Sequence, residues 1–79
     1  MERERFAFWG GEIVAFLHDK PKDGIRVGDP GWVWGVYDLN PPVYEATFTT
    51  GDGDEIDVMF QADEVYLVAQ APEVDATPD

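Results

Sequence analysis

Side chains that could act as nucleophiles are scarce in this sequence of 79 residues. Cysteine and serine are both absent, so the two side chains that most often attack acyl groups are missing. The hydroxyl groups of Thr47, Thr49, Thr50 and Thr77 remain, together with a single histidine, His18. Because His18 directly follows an apolar run, a structural role fits it better than a catalytic one. The sequence therefore predicts a protein that is not an enzyme.

Carboxylates are abundant, and one short segment could in principle supply oxygen ligands to a cation. The run from Asp52 to Asp57 is rich in acids, and Asp63 follows it closely. The spacing is superficially that of a calcium loop. However, Ile56 and Asp57 occupy the fifth and sixth positions, where an EF-hand needs an oxygen ligand and a glycine. We therefore predict no metal and no other cofactor, and we interpret the segment as a solvated hairpin.

Three glycines, Gly28, Gly31 and Gly35, precede and interrupt the second predicted strand. They do not form a phosphate-binding loop, because no lysine follows them and the segment leads into a strand instead of a helix N-terminus. We interpret them as turn and packing glycines. Gly31, between a proline and a tryptophan, is predicted to need a backbone conformation that a β-branched residue cannot adopt.

Aromatic residues in the segment Trp32–Tyr37 are the strongest indication of a binding surface. In a regular strand Trp32, Trp34 and Val36 share one face, and Tyr37 lies on the opposite one. Whichever face is buried, a large aromatic group is then expected to be partly exposed. Tryptophan and tyrosine are enriched at interface hot spots, so Trp32, Trp34 and Tyr37 are predicted to contact a partner. The alternative is that both tryptophans fill the interior or cover an open end.

Charge is distributed very unevenly along the chain. The net charge is -12, with 17 acids and five bases, and the last base is Arg26. Such a surface repels phosphate backbones and anionic lipids, so we expect no direct binding to nucleic acid or membrane. It would accelerate encounter with a basic protein, which the hairpin acids Asp52, Asp54, Glu55 and Asp57 are predicted to contact. The alternative is that the acids only keep an aromatic-rich domain soluble.

The elements that position these residues are short strands separated by turn signals. Apolar, β-branched and aromatic residues with period-two alternation indicate strands, while Pro, Gly and Asp-Gly pairs indicate the turns. Five strands are predicted at Ile13–Leu17, Trp32–Tyr37, Val43–Thr49, Glu55–Phe60 and Val65–Val68, with a single 3₁₀ or helical turn at Gln61–Glu64.

This pattern predicts an all-β fold, a small five-stranded SH3-like barrel formed by residues 1–69. A chain this short supports one core, so one domain is expected. Residues 70–79 combine proline with acids and lack a packing pattern, which predicts a disordered acidic tail. The lack of cysteine and of a long apolar run near the start predicts a cytoplasmic protein.

Residues 9–68 also resemble a known family. The run GEIVAFLHDKPKDGIRVGDPGWVWGVYD, then VYEATF, a Gly/Asp turn and EIDVMFQADEVYLV, is similar to the bacterial proteins of the domain-of-unknown-function 4926 family. That family has a first strand, a Pro…Gly loop and a Gly-Asp-x-Gly-x-Val element before the next strand. Trp32 and Trp34 depart from its pattern, because smaller residues are usual there. The resemblance implies an SH3-like barrel and supplies no reaction, although it suggests that the protein itself is an antitoxin or immunity protein that binds the product of a neighbouring gene.

Two functions remain open from the sequence. The first is an acidic binding module that neutralises or regulates a basic protein, as an antitoxin, an immunity protein or a nucleic-acid-mimicking inhibitor would. The second is a structural accessory module or subunit of a larger enzyme complex. The sequence indicates neither the identity of the partner nor the oligomeric state.

Overall fold

A computed structural model of the chain describes residues 6–70, which form one antiparallel β-sheet. Its strands are β1 (Ile13–Phe16), β2 (Gly31–Tyr37), β3 (Val43–Thr49), β4 (Glu55–Gln61) and β5 (Val65–Ala69). Two single-turn 3₁₀ helices, at Pro21–Asp23 and Ala62–Glu64, complete the regular structure of this region. The predicted all-β fold with five strands is thus confirmed. The predicted tail lies outside the described residues, apart from Gln70.

The strand order is β4-β3-β2-β1-β5, which leaves two free edges. Within residues 6–70, β4 pairs only with β3 and β5 pairs only with β1, so the first and last strands of this region are neighbours. The prediction of a closed barrel was wrong in this respect, because no hydrogen-bonded ladder joins β4 to β5 within residues 6–70. Closure requires long-range pairing of these two strands, which a pattern of short strands does not specify.

The sheet nevertheless bends around a single core. β3 contributes Tyr44, Ala46 and Phe48, which alternate along the strand and are buried. The rings of Phe16 in β1 and Phe60 in β4 have centroids only 5.8 Å apart. In a flat sheet, strands separated by three steps would lie about 14 Å apart. The contact across the core therefore requires strong curvature.

A β-bulge interrupts the alternation of β2. Val33 is paired with Ala46, and Gly35 is paired with the next residue of β3, Glu45, so Trp34 is the extra residue. A bulge shifts the alternation by one position, because two residues then oppose one. Val36 consequently packs toward the core, while Tyr37 moves to the opposite side. The expectation that Val36 shares a face with Trp32 and Trp34 was wrong for this reason.

Gly31 is needed for packing and not for an unusual backbone conformation. It is buried, and the positive-φ glycines of the described region are Gly11, Gly24, Gly28 and Gly53. A Cβ atom at Gly31 would lie 2.4 Å from Cε2 of Phe48, its cross-strand partner. The predicted intolerance to a β-branched residue therefore has a different cause, which is steric conflict with a buried ring.

The turn before β5 is stabilised by Glu64. One carboxylate oxygen of Glu64 accepts a hydrogen bond from the backbone N–H of Gln61 at 2.9 Å, and the Gln61 side chain reciprocates in a capping box. The other oxygen pairs with Nζ of Lys20 at 3.3 Å. This ion pair ties the long first loop to the start of β5, and Lys20 also lies over the ring of Phe16.

Candidate partner-binding face

Three strands of the sheet present a surface that faces away from the core. We call it the outer face and define it by seven residues: Trp32, Trp34 and Tyr37 of β2, Glu45 and Thr47 of β3, and Asp57 and Met59 of β4. Cross-strand partners in an antiparallel sheet project to the same side. Thr47 is paired with both Trp32 and Asp57, and Glu45 is paired with Met59, so these residues share one side.

The three aromatic residues predicted to bind a partner therefore lie on one face. Their side chains are exposed to solvent by 55% for Trp32, 45% for Trp34 and 37% for Tyr37, and Met59 beside them is 55% exposed. The bulge accounts for this arrangement, because without it Tyr37 would point toward the core side. A row of half-exposed aromatic rings on one sheet surface is typical of an interaction site.

Hydrogen bonds orient Trp34 and one carboxylate of this face. Nε1–H of Trp34 donates to Oγ1 of Thr47 at 2.9 Å, and the Thr47 hydroxyl donates to Oδ1 of Asp57 at 2.6 Å. The short second bond is of the charge-assisted kind. Thr47 thus links an indole to a carboxylate, and it leaves the other oxygen of Asp57 available to a partner.

A second pair lies beside the first. The hydroxyl of Tyr37 donates to Oε1 of Glu45 at 2.7 Å. This hydrogen bond raises the pKa of Tyr37 above its ordinary value, because deprotonation would remove the donor and place a phenolate beside a carboxylate. Gly35 lies close to this pair, since a Cβ atom there would make a tight contact of 3.2 Å with Cβ of Glu45 and an ordinary contact of 3.4 Å with Cε2 of Tyr37.

The hairpin acids predicted to bind the partner do not form one group with the aromatic residues. Asp57 belongs to the outer face, and Glu55 is paired with Thr49 one step along the same side. Asp54 lies in the turn, where its backbone N–H and C=O both bond to Thr50. Asp52 lines a separate cleft. The prediction combined residues adjacent in sequence that the hairpin places at different sites.

The separate cleft lies between the long first loop and the β3–β4 turn and has a volume of about 500 Å³. It carries charges of both signs, with Asp52 opposite Asp19, Arg26 and Asp29. Two of these carboxylates stabilise the loop, because Asp19 accepts from the N–H of Val27 and Asp29 accepts from the N–H of Arg26. We therefore assign these two acids a structural role.

Three residues of the outer face were not predicted from the sequence pattern: Glu45, Thr47 and Met59. A signal for the first two existed, because Glu45 and Thr47 alternate with the buried residues of β3. Their cross-strand hydrogen bonds could not be foreseen, since these depend on the register between strands. Met59 lies where the apolar alternation of β4 breaks, and the pairing with Glu45 places it outside.

The single histidine of the sequence lies outside the outer face. His18 is exposed and lines a small cleft with Lys20, Asp63 and Glu64. Between residues 6 and 70, no three potential metal-ligating side chains lie close enough together to hold an ion. That same region contains no helix with the length and apolar character needed to cross a bilayer.

The chain matches no protein-family model, no curated protein and no solved structure. The resemblance to the domain-of-unknown-function 4926 family therefore stays a prediction that rests on the quoted residues.

Proposed function

We propose that this protein is a non-catalytic binding module and that its outer face holds a basic protein partner. The observation that carries the proposal is the combination on one surface of exposed aromatic rings with carboxylates, in a sequence that has no base after Arg26. Glu45 and Asp57 supply negative charge there, and no lysine or arginine of β2, β3 or β4 neutralises it.

Arginine is the partner side chain that fits this surface best. A guanidinium group stacks on aromatic rings and also donates in a planar fork to carboxylates. Trp34 and Asp57 are joined through Thr47, so both kinds of contact are available within a few ångströms. Because their orientation is set by hydrogen bonds inside the protein, less side-chain entropy is lost on binding.

The same chemistry suits several biological roles. An antitoxin, an immunity protein or a nucleic-acid-mimicking inhibitor each covers a basic surface, with carboxylates in the place of phosphates. The fold is consistent with such a module. We infer an open, SH3-like arrangement, supported by the adjacency of β1 and β5, the single-turn 3₁₀ helix before β5 and the curvature around one core.

Binding kinetics test the proposal once a partner has been captured from the native host at low salt. Association is expected to slow by about 10-fold or more between low and physiological salt, because screening weakens long-range attraction. Trp32→Ala is expected to raise the dissociation rate by about thirtyfold, as a hot spot of about 2 kcal/mol requires. Asp57→Asn should slow association, whereas the matched change Asp63→Asn, outside the outer face, should slow it less.

Association rates that are insensitive to both salt and Asp57→Asn would contradict the electrostatic proposal. If such a complex still depended on Trp32, the result would favour the alternative function, an accessory module docked on a larger enzyme complex. Unfolding of the free Trp32→Ala variant would instead show that Trp32 supports the fold.

A further inference from the structure

The two free edges of the sheet differ in charge. β4 carries Glu55 and Asp57 in alternation with apolar residues, and charged side chains on an edge strand discourage pairing with another chain. β5 has the sequence VYLVA and carries no charge, although the chain as a whole has 17 acids. The side chains of Tyr66, Leu67 and Val68 are 42%, 40% and 52% exposed. Among residues 6–70, no strand pairs with the outer side of β5, so in the described region β5 is an uncharged, apolar edge.

The hydrogen-bonding phase of β5 shows which backbone groups face outward. Leu17 N–H donates to the carbonyl of Glu64 at 2.9 Å, next to the paired residues Phe16 and Val65. In an antiparallel ladder this makes Phe16–Val65 a non-hydrogen-bonded pair, and the following pair, formed by Tyr66, is the hydrogen-bonded one. The N–H and C=O of Leu67 consequently point away from β1, toward the open edge.

We propose that β5 pairs in antiparallel fashion with β5 of a second copy of this chain, with the twofold axis at Leu67. The outward-facing N–H of Leu67 would then donate to the C=O of Leu67 in the second copy, and the C=O would accept from the N–H of that residue. Tyr66 would lie opposite Val68 of the second copy, Val65 opposite Ala69, and Glu64 opposite Gln70. An isologous contact of this kind requires a self-complementary strand, and this register brings no acid against another acid.

A second copy is a better occupant of this edge than the basic partner proposed above. β5 has no carboxylate that could bind a cationic strand. An identical strand, by contrast, would make matched apolar contacts with it. The proposal does not depend on the outer face, which belongs to β2, β3 and β4. Each copy carries a charge of -12, so long-range repulsion opposes the dimer and salt relieves it. Dimerisation is therefore expected to strengthen with salt, whereas binding of a basic partner weakens.

Sedimentation equilibrium of the full chain, at low and at physiological salt, tests the proposal. We expect a reversible dimer whose dissociation constant falls as salt rises. Leu67→Lys should raise that constant by at least about tenfold, because two like charges would face each other at the axis. The matched control Met59→Lys makes the same charge change on the outer face and should leave the dimer intact.

Leu67→Pro provides a second variant, since proline is tolerated where the N–H of an edge strand points outward. It should abolish the dimer while the monomer stays folded. A protein that remains monomeric at all concentrations would overturn the proposal, as would a dimer that tolerates Leu67→Lys or is disrupted equally by Met59→Lys. Unfolding of the Leu67→Pro monomer would contradict the outward direction of the Leu67 backbone.

Discussion

At the scale of single residues, the pair formed by Tyr37 and Glu45 shows how a hydrogen bond holds a carboxylate in place on the outer face. The tyrosine is exposed, yet its hydroxyl is held 2.7 Å from a carboxylate on the neighbouring strand. The hydrogen bond favours the neutral phenol, so the pKa of Tyr37 is raised from 10.0. The hydrogen bond therefore contributes fully to the free energy of unfolding below the pKa that Tyr37 has in the unfolded chain. This contribution is lost as the pH rises through the higher pKa of Tyr37 in the folded protein.

Glu45→Gln is expected to lower the pKa of Tyr37 toward its ordinary value, because it removes the charge that disfavours the phenolate. NMR titration with ring-labelled tyrosine measures the change, and Tyr37→Phe assigns the signal. Asp57→Asn is the matched control and should leave the Tyr37 pKa raised, since the Asp57 carboxylate is bonded to Thr47. An unchanged Tyr37 pKa in Glu45→Gln would mean that the bond to Glu45 does not persist in solution.

At the scale of elements, β2 contributes to both the core and the outer face, and different residues of the strand do so. On the core side, β2 needs a glycine at position 31, because Gly31 lies against the ring of its cross-strand partner Phe48. Its outer side needs the bulge at Trp34, which brings Tyr37 to the same side as the two tryptophans. The strand can serve both faces because the bulge changes which residues point inward partway along it.

Gly31→Ala is expected to reduce the free energy of unfolding by about 1–3 kcal/mol, the usual effect of overpacking a core. Three atoms of the Phe48 ring lie within 2.6 Å of the added carbon, and that ring is stacked on Phe16, so it cannot move aside freely. Urea denaturation measures the change. Gly51→Ala is the control, because no atom lies within 4 Å of the carbon that this change adds. The free energy of unfolding of the Gly51→Ala variant should be unchanged or slightly raised. Equal stabilities of the two variants would show that Phe48 has room to shift.

At the scale of the whole molecule, charge opposes compactness. The net charge of -12 is confined to a chain of 8.9 kDa, and within residues 6–70 Lys20 and Glu64 form a salt bridge. Such a surface favours encounter with a basic partner but destabilises the free protein through self-repulsion. Partner binding would relieve that repulsion, and so would salt.

The thermal midpoint of the free protein is expected to rise between about 0.01 M and about 0.15 M sodium chloride, because the Debye length shortens from about 30 Å to about 8 Å. Differential scanning calorimetry measures the midpoint. The double variant Asp52→Asn with Asp54→Asn, which removes two charges at the β3–β4 turn, should raise the midpoint at low salt and reduce its salt dependence. A midpoint that falls with salt would show that favourable ion pairs outweigh the repulsion.

Local patterns in the sequence determined the positions of the strands. β-branched and aromatic residues in alternation identify β3 as it is observed, and turn residues such as Asp52-Gly53 identify the hairpin that joins it to β4. The 3₁₀ turn before β5 was also predictable, since Asp63 and Glu64 favour the start of a short helix. These features depend on interactions between residues a few positions apart, so the local sequence is enough to predict them.

Only the tertiary structure decided what the strands do together. The bulge at Trp34 depends on the register between β2 and β3, and this single shift reverses the sides of Val36 and Tyr37. The role of Gly31 depends on Phe48, seventeen residues away in sequence, and the open edge of β5 depends on which strands fail to pair. Cross-strand register and sheet closure arise from contacts between distant segments, because the packing of one shared core selects among pairings that local patterns allow equally.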